Sequence, residues 1–173
     1  AAGDVLVFLN DDTDLQTKDW TSHVISLLQE DDVACVGGML LNSDGTVQSC
    51  GDNIGRSSAV HYAPKPIPSD VGDAMHRYIA DHETTSVTGA FFCCRKSTFL
   101  DLGGFNLAFP NSFQDVDFCQ RARAQNLRCI VSPHVRLYHF ESVSRNPKVD
   151  MSTLNAIRSL HPALMVPLGI YNI

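Results

Sequence analysis

Apolar runs broken by short polar clusters give the first part of the chain a pattern of strands and helices. Residues 4–9 are apolar at every position after Asp4, and Val33–Leu41 contains no charged side chain. Continuous rather than alternating apolarity is typical of strands that are covered on both faces, as in a parallel sheet. From Trp20 to Leu28 the apolar residues recur at helical spacing, and Thr17 is placed to cap that helix. The pattern predicts a strand, a helix and a second strand.

The pattern continues towards the C-terminus with one interruption. The further elements predicted are a turn at 42–45, strands at 46–50 and 86–94, helices at 96–102 and 112–126, strands at 128–131 and 135–138 around Pro133, and a helix at 151–160. Residues 51–81, which include three prolines, predict an irregular segment. A loop of that length inside a compact domain is usually functional or mobile. The mixture of strands and helices predicts an α/β fold.

Composition and charge narrow the class of protein. The chain has 173 residues, 13 Lys plus Arg, 19 Asp plus Glu, a net charge of −6 and 44% apolar residues. These values suit one globular domain. We predict that the domain covers residues 1–150 and that a C-terminal helix and tail follow at 151–173. Negative charge without a basic block argues against nucleic acid or an anionic membrane as the main partner. No apolar run approaches the ~20 residues that cross a bilayer, and we expect no signal peptide because the chain lacks a basic start.

The cysteines indicate a reducing environment. All six, at 35, 50, 93, 94, 119 and 129, lack a CxxC pair or a histidine spacing typical of zinc fingers. Most of them have apolar neighbours. We therefore expect small buried hydrophobic side chains in a reducing compartment, which favours a cytoplasmic protein.

Three polar clusters at the ends of predicted elements carry the candidate chemistry. Asn10 and Asp12 lie two apart on an extended segment and can face one ligand, as an oxygen pair suited to Mg²⁺ or Mn²⁺ on a diphosphate; a turn with capping aspartates is the alternative. Asp115 and Asp117 open a predicted helix, where at most one of them is a general base and dipole compensation is the alternative. His139 follows an apolar strand and can complete an oxygen-rich metal site, a structural role being the alternative.

Five strings together resemble the inverting family 2 glycosyltransferases with a GT-A fold, especially bacterial members that extend cell-surface polysaccharides. They are VFLNDDT at 7–13, VTGAFF at 87–92, LGGF at 102–105, FQDVDFCQR at 113–121 and YHFESVSR at 138–145. The strings occur in the family's order with similar gaps and cover about residues 3–145. The resemblance implies a GT-A fold, with a mixed sheet flanked by helices, and sugar transfer with inversion. It does not specify the sugar.

On the donor side, the resemblance implies a metal site beside a diphosphate. Asp12 corresponds to the residue of the DxD motif that meets a Mn²⁺ or Mg²⁺ ion, while Asn10 and Asp11 lie beside the donor. Asn10 stands where many members have the first aspartate. His139 corresponds to a metal-contacting histidine. The residues that correspond to a mobile segment near the pyrophosphate are Ser142, Ser144 and Arg145.

On the acceptor side, Asp115 corresponds to the catalytic base that takes the proton of the acceptor hydroxyl. Gln114 replaces the more usual glutamate before it. Residues 88–90 correspond to a strand beside both sugars, where small residues permit close approach, and residues 51–81 are expected to shape the acceptor site. The implied mechanism is a single displacement, in which a metal stabilises the leaving nucleoside diphosphate and one base suffices.

The implied partners are a nucleotide-diphosphate sugar, with a UDP-sugar and dTDP-rhamnose both compatible, and a saccharide or lipid-linked saccharide acceptor. The corresponding location is the cytoplasm or the inner face of the membrane, with peripheral association and no transmembrane segment. Two alternatives stay open. One is a non-catalytic sugar-binding or scaffold domain of the same fold, which Asn10 and Gln114 favour slightly; the other is a metal-dependent nucleotidyltransferase.

The place of the DxD-like motif leads to an expectation about the chain itself. Family members bind the base and ribose of the nucleotide with elements that precede this motif, which begins here at Asn10. We therefore expect a C-terminal portion of a GT-A domain that binds the donor poorly and is inactive by itself. The strand at 4–9 would then lack a parallel neighbour, and we expect self-association of the fragment through that apolar edge.

Overall fold

The computed structural model describes residues 2–54, 59–61, 77–110, 112–140 and 151–162. In chain order the strands are β1 (Val5–Leu9), β2 (Thr13–Leu15), β3 (Val33–Leu41), β4 (Val47–Ser49), β5 (Asp52–Ile54), β6 (Ala59–His61), β7 (His82–Thr84), β8 (Phe91–Arg95) and β9 (Arg128–His139). The helices are α1 (Trp20–Leu28), α2 (Lys96–Asp101), α3 (Gln114–Ala124) and α4 (Met151–Leu160). In these ranges no helix has the length and apolarity needed to cross a membrane.

A mixed seven-stranded sheet organises the chain. Strands β1, β8, β3, β9 and β2 lie side by side in that order, β4 adds to β3, and β7 adds to β9. β3 and β9 are parallel, whereas β8 is antiparallel to both β1 and β3. β1, β3 and β9 therefore point the same way, so the polar residues that follow β1 and those that end β9 lie at the same edge of the sheet.

Helices cover both faces of this sheet. Leu28 of α1 packs on one face together with Phe91, and Phe118 of α3 packs on the other together with Phe92. All nine residues of β3 are buried because both faces of this central strand are covered. Each large apolar side chain buried in this way stabilises the fold by about 1.5–3 kcal/mol. The continuous apolar pattern of β3 thus has the predicted cause.

Two glycines in β3 allow neighbouring segments to approach closely. A Cβ on Gly37 would lie 2.4 Å from Cγ1 of Val87, and a Cβ on Gly38 would lie 2.7 Å from the carbonyl oxygen of Val135. No side chain fits at either position unless these neighbours move. The approach at Gly37 holds the segment before β8 against the sheet, and this segment leads into the candidate site.

The position of β1 corrects one prediction and confirms another. β1 pairs antiparallel with β8 and has no second neighbour among the described residues. Val7 and Leu9 are 43% and 51% exposed, so the prediction of a strand covered on both faces in a parallel arrangement is wrong for the part of the chain described. The predicted apolar edge is present, and self-association through it stays a prediction.

Thr17 is not the cap of α1. Asp19 precedes this helix and makes no side-chain capping hydrogen bond. The Thr17 hydroxyl instead donates to the carbonyl of His134 at 3.0 Å and accepts from the N–H of Arg136 at 3.0 Å. The hydroxyl therefore binds the backbone of β9 instead of capping α1. Without it, the carbonyl of His134 and the N–H of Arg136 would lack these partners.

Two predicted strand boundaries are also wrong. The strand expected at 86–94 begins only at Phe91, because residues 86–90 contact β5, α3 and the turn after β1 instead of continuing the ladder. The two strands expected around Pro133 are one strand, β9. Its register against β3 shifts between the pairs Gly38–Ser132 and Met39–Arg136, so residues 133–135 bulge out. A bulge accommodates proline, which cannot donate to the ladder.

The remaining predicted elements are confirmed as α1, β3, β4, α2, α3 and α4. The turn at 42–45 contains Gly45 at φ 82°, and Asn126 stops α3 in the left-handed region at φ 60°. Of the segment predicted to be irregular, the structure describes 51–54, 59–61 and 77–81, and the prediction is wrong where β5 and β6 pair as an antiparallel two-stranded sheet. Residues 163–173 lie outside the described ranges. The domain boundary at 150 and the role of residues 51–81 therefore stay predictions.

Candidate functional site

The turn after β1 is fixed against the ends of β8 and β9. The N–H of Asn10 donates to the carbonyl of Ala90 at 3.1 Å, and the N–H of Phe140 donates to the carbonyl of Asp12 at 2.9 Å. The hydroxyl of Thr13 closes the turn by donating to the carbonyl of Asn10 at 2.7 Å. Thr13 then pairs with His139 as β2 begins. These contacts set the first and third polar clusters side by side.

Asp12 and His139 converge through their side chains. Oδ1 of Asp12 lies 3.3 Å from Nε2 of His139, and Nδ2 of Asn10 lies 3.4 Å from the same ring nitrogen. His139 is buried. Oδ1 of Asp12 is also shielded from solvent and has no partner in hydrogen-bond geometry within the described ranges. The Asp12 side chain as a whole is 41% exposed, so this carboxylate can be reached from solvent, and a cation there would supply the partner that Oδ1 lacks.

Gln48 contacts the other side of the histidine ring, a role that the sequence analysis did not predict. Its Oε1 lies 2.7 Å from Nδ1 of His139, and its Nε2 donates to the carbonyl of His139 at 3.2 Å. Gln48 sits in the centre of β4, and nothing in the sequence indicates its pairing with a residue 91 positions away. The imidazole is thus oriented by a side chain from behind, as in many metal-ligating histidines.

The pair formed by Asp12 and His139 fits part of a divalent-cation site. Two ligand atoms about 2.1 Å from an ion and at right angles to each other lie about 3 Å apart, close to the 3.3 Å observed. Carboxylate oxygen suits Mg²⁺ or Mn²⁺, and imidazole shifts the preference towards the transition metal. Asp11 is exposed on the same turn.

Asp115 forms a second centre at the start of α3. Phe113 precedes the helix in the left-handed region at φ 67°. Oδ2 of Asp115 accepts from the N–H of Gly89 at 2.6 Å, and Oδ1 accepts from the N–H of Val116 at 2.8 Å. Burial raises the pKa of this carboxyl to about 6; the two N–H donors oppose the rise and the negative charge of Asp52 adds to it. A carboxylate with such a pKa suits proton abstraction near neutral pH.

Residues 89 and 90 connect the two centres. Gly89 donates its N–H to Asp115, and the next carbonyl, that of Ala90, accepts from Asn10. Thr88 lies just before them, and its Oγ1 is 3.4 Å from the N–H of Ala90. A Cβ on Gly89 would lie 3.3 Å from Oδ2 of Asp115, so an added side chain would crowd this contact. The small residues predicted beside the sugars thus contact both the candidate base and the turn that carries the candidate metal ligand Asp12.

Asp117 faces away from this site and has a structural role. It is fully buried, with Oδ2 at 2.8 Å from Nε of Arg121 and Oδ1 at 2.8 Å from Nε2 of His161. Arg121 also donates to the carbonyls of Leu102 and Gly104. Asp117 therefore joins α3 to the turn after α2 and to the end of α4. The prediction that the two aspartates point in different directions is confirmed.

The cysteines are free and buried, as predicted. The sulfur atoms of Cys35, Cys119 and Cys129 lie within 4.8 Å of one another in the apolar layer between the sheet and α3. Burial raises the pKa of the Cys35 thiol well above its usual range. An uncharged thiol among apolar side chains acts as a small hydrophobic group.

Of the residues singled out in the sequence and not yet placed, Gln114 lies in the described ranges, whereas the expected pyrophosphate contacts do not. Oε1 of Gln114 is shielded from solvent and has no hydrogen-bond partner within the described ranges. Ser142, Ser144 and Arg145 lie outside the described residues, so their expected contact with a pyrophosphate stays a prediction.

Comparison with known sequences identifies two long relatives. No protein-family model matches the chain. It is 30% identical over 144 residues to the uncharacterized protein y4gI of Sinorhizobium fredii (strain NBRC 101917 / NGR234), covering 83% of this chain and 16% of that protein. It is 32% identical over 146 residues to the O-antigen biosynthesis protein RfbC of Myxococcus xanthus, covering 84% of this chain and 12% of that protein. The chain thus spans less than a fifth of either relative.

Comparison with solved structures identifies the fold. The chain is similar to the crystal structure of GalNAc-T7 with UDP, GalNAc and Mn²⁺, with a TM-score of 0.60 and 12% sequence identity over 92% of this chain and 38% of that chain. At this identity the likeness concerns the fold alone. The chain therefore has an α/β fold with a mixed sheet and flanking helices that is similar to the fold of a glycosyltransferase.

Proposed function

We propose that the chain belongs to an inverting glycosyltransferase of family 2, with a GT-A fold, that moves a sugar from a nucleotide diphosphate to a saccharide acceptor in cell-surface polysaccharide synthesis. The observation that carries the proposal is that one short segment, residues 89–90, contacts both Asp115 and the turn that places Asp12 beside His139. The name of the Myxococcus relative, an O-antigen biosynthesis protein, supports the polysaccharide role.

The donor lies on the side of Asp12 and His139 in this proposal. These two side chains would hold Mn²⁺ or Mg²⁺, Mn²⁺ being favoured by the imidazole and present in the similar structure of GalNAc-T7. When bound, the ion supplies positive charge for the diphosphate of the donor. Asn10 and Asp11 lie on the same turn and are proposed to contact the donor. Ser144 and Arg145 are proposed as further diphosphate contacts.

Asp115 is the general base in this proposal. With a pKa of about 6, the carboxyl is largely ionised at neutral pH and is a stronger base than an ordinary aspartate. Each oxygen already accepts one backbone N–H, which fixes the carboxylate, and each keeps a second lone pair for the acceptor hydroxyl. The hydroxyl loses its proton to Asp115 and attacks the anomeric carbon opposite the leaving diphosphate, which inverts the configuration.

The wider setting is part of the same proposal. The donor is a UDP-sugar or dTDP-rhamnose, and the acceptor is a saccharide or a lipid-linked saccharide. The enzyme works in the cytoplasm or peripherally at the inner face of the membrane. The expected inactivity of the isolated chain also belongs here, and a transfer assay on the 173-residue chain tests it.

The test uses the intact gene product and a panel of nucleotide sugars. We expect release of nucleoside diphosphate with one sugar, and we expect Asp115→Asn to lower kcat by about 10²- to 10⁴-fold. Calorimetric binding of Mn²⁺ and UDP should be unchanged in this variant. The matched control is Asp101→Asn, which changes an exposed aspartate of α2. Normal turnover in Asp115→Asn would exclude this base.

The same assay separates the two alternatives. A scaffold domain would show no metal-dependent heat with UDP and no transfer. A nucleotidyltransferase would release pyrophosphate from a nucleoside triphosphate. Release of nucleoside diphosphate from the sugar panel would then be at background in the wild type and in Asp115→Asn alike.

A further inference from the structure

A chain of side-chain hydrogen bonds runs from the β3–β4 turn to the histidine of the candidate metal site. It passes from Asp44 to Thr46, Asn42, Gln48 and His139. A hydroxyl has one hydrogen to donate, and an amide donates from nitrogen and accepts at oxygen, so the direction of each bond can be deduced from the bond before it. We name these five residues the turn relay.

The direction of the turn relay is set at Asp44. The hydrogen bonds from Thr46 lower the pKa of the Asp44 carboxyl, which is therefore an acceptor at neutral pH. Oγ1 of Thr46 lies 2.7 Å from Oδ1 of Asp44 and so donates its single hydrogen there. The same Oγ1 lies 2.9 Å from Asn42, and with its hydrogen already used it can only accept from Nδ2 of Asn42.

This direction is passed on to Gln48. Because the amide nitrogen of Asn42 faces Thr46, its Oδ1 faces Gln48, where Nε2 donates to it at 3.3 Å. Nε2 of Gln48 also donates to the carbonyl of His139 at 3.2 Å. Two acceptors thus require the amide nitrogen of Gln48 on that side, so Oε1 faces Nδ1 of His139 at 2.7 Å. An amide oxygen only accepts, and Nδ1 must therefore carry a hydrogen.

We propose that the turn relay holds a hydrogen on Nδ1 of His139, as in the Nδ1–H tautomer, and so directs Nε2 towards the candidate metal site beside Asp12. This inference deepens the proposed function and rests on it for the identity of the ligand. Gln48 acts here as a positioning residue. Nε2 and Oδ1 of Asp12 are both electron-rich and lie 3.3 Å apart, an arrangement that a shared cation stabilises.

The contact with Asn10 agrees with this tautomer. Nδ2 of Asn10 lies 3.4 Å from Nε2 of His139 and can donate only if Nε2 has a free lone pair. In the other tautomer, Nε2–H would face Oδ1 of Asp12 at 3.3 Å, but Nδ1 would oppose Oε1 of Gln48 lone pair to lone pair at the shorter distance of 2.7 Å. The unfavourable contact at Nδ1 makes that alternative the less stable one.

The primary test is long-range ¹H–¹⁵N NMR of the metal-free, ¹⁵N-histidine-labelled 173-residue chain at about pH 8. The His139→Gln variant assigns the signals. We expect a hydrogen on Nδ1 of His139 in the wild type. In Gln48→Met, which keeps the side-chain length without hydrogen bonds, we expect a shift towards the Nε2–H tautomer that free histidine prefers. The control is Gln125→Leu at an exposed position, where His139 should be unchanged.

Further variants test the parts of the turn relay separately. Gln48→Glu keeps an acceptor at Nδ1, so the hydrogen on Nδ1 should persist. This variant tests the contact between residue 48 and His139 even if Gln48→Met does not fold. Thr46→Val removes the acceptor that orients Asn42, and a smaller fraction of the Nδ1–H tautomer is expected; an unchanged fraction would remove Thr46, Asn42 and Asp44 from the proposal. An Nε2–H tautomer in the wild type, or an unchanged one in Gln48→Met, would overturn it.

Metal binding distinguishes this inference from the proposed function. Electron paramagnetic resonance of the intact gene product with Mn²⁺ and UDP should show about 10- to 100-fold weaker Mn²⁺ binding in Gln48→Met than in the wild type. If the tautomer is as expected and no variant or wild-type sample binds Mn²⁺, the proposed metal site fails while the turn relay stands. If Mn²⁺ binds and the tautomer does not depend on Gln48, the turn relay fails while the metal site stands.

Discussion

Gly89 and Asp115 meet through a hydrogen bond of 2.6 Å, in which the glycine N–H donates to Oδ2 of the carboxylate. A Cβ on Gly89 would lie 3.3 Å from the same oxygen. One residue later, Ala90 accepts the N–H of Asn10 and so holds the turn that carries the candidate metal ligand Asp12. This segment therefore contacts both the candidate base and the turn that carries a candidate metal ligand.

Gly89→Ala should reduce transfer without unfolding the protein. The added methyl group displaces Oδ2 of Asp115 by a few tenths of an ångström, and small displacements of a reacting group lower kcat. We expect a loss of about tenfold to a hundredfold in kcat, with the KM for the donor nearly unchanged. Steady-state kinetics of the intact gene product measure both. Gly3→Ala is the control, since its Cβ would meet only the carbonyl of Val5 at 3.7 Å. An unchanged kcat in Gly89→Ala would contradict the role given to this contact.

Asp115→Asn should remove a pH dependence of stability. The folded state raises the pKa of this carboxyl from 3.8 to about 6, so between these values the folded state holds a proton that the unfolded state releases. The contribution of this carboxyl to the free energy of unfolding therefore falls as pH rises from about 4 to about 6 and is constant above that. At pH 7 the ionised carboxylate costs up to about 3 kcal/mol. The amide loses one backbone hydrogen bond, worth about 1 kcal/mol, so the variant should be at least as stable at pH 7.

Urea denaturation of the wild type and Asp115→Asn at a series of pH values between 4 and 8 measures this effect. Asp101→Asn, an exposed change, should keep the wild-type profile. A profile for Asp115→Asn with the wild-type slope between pH 4 and 6 would show that another group causes the dependence.

Asp117→Asn should have the opposite effect on stability, although Asp117 lies two residues away on the same helix. Its buried carboxylate contacts Arg121 and His161 at 2.8 Å each, and the amide turns a donor towards one of them. Removing one partner of a buried ion pair costs about 3–5 kcal/mol. Urea denaturation at pH 7 compares the two variants directly. Equal stability of Asp117→Asn and Asp115→Asn would contradict the structural role of Asp117.

The two aspartates also show what the sequence can and cannot predict. Both lie in the first turn of a helix, so neither the local sequence pattern nor the helix dipole distinguishes them. The resemblance to a family separated them, and the structure gives the physical reason: one reaches Gly89 and the other reaches α4. These contacts depend on how the helix packs, which periodicity does not contain.

Gln48 shows a further limit of sequence reasoning. It stands in the centre of a three-residue strand and became relevant only because β4 lies beside β3, which is itself parallel to β9. Long apolar runs such as β3 were predicted well, since burial on both faces leaves a clear pattern. The pairing of β1 with β8 and the bulge in β9 were not, because strand pairing is determined by tertiary structure.

The two glycines of β3 should tolerate no side chain. A Cβ on Gly37 would lie 2.4 Å from Cγ1 of Val87, whereas a Cβ on Gly38 would lie 2.7 Å from the backbone carbonyl of Val135. Val87 can shift its side chain at some cost, but the carbonyl belongs to the bulge of β9 and moves only with the strand. We expect Gly37→Ala to lose about 1–3 kcal/mol and Gly38→Ala to lose more. Thermal and urea denaturation measure both, with Gly3→Ala as the control. Val87→Ala should restore stability in Gly37→Ala and not in Gly38→Ala, and a failure of this rescue would contradict the assigned contact.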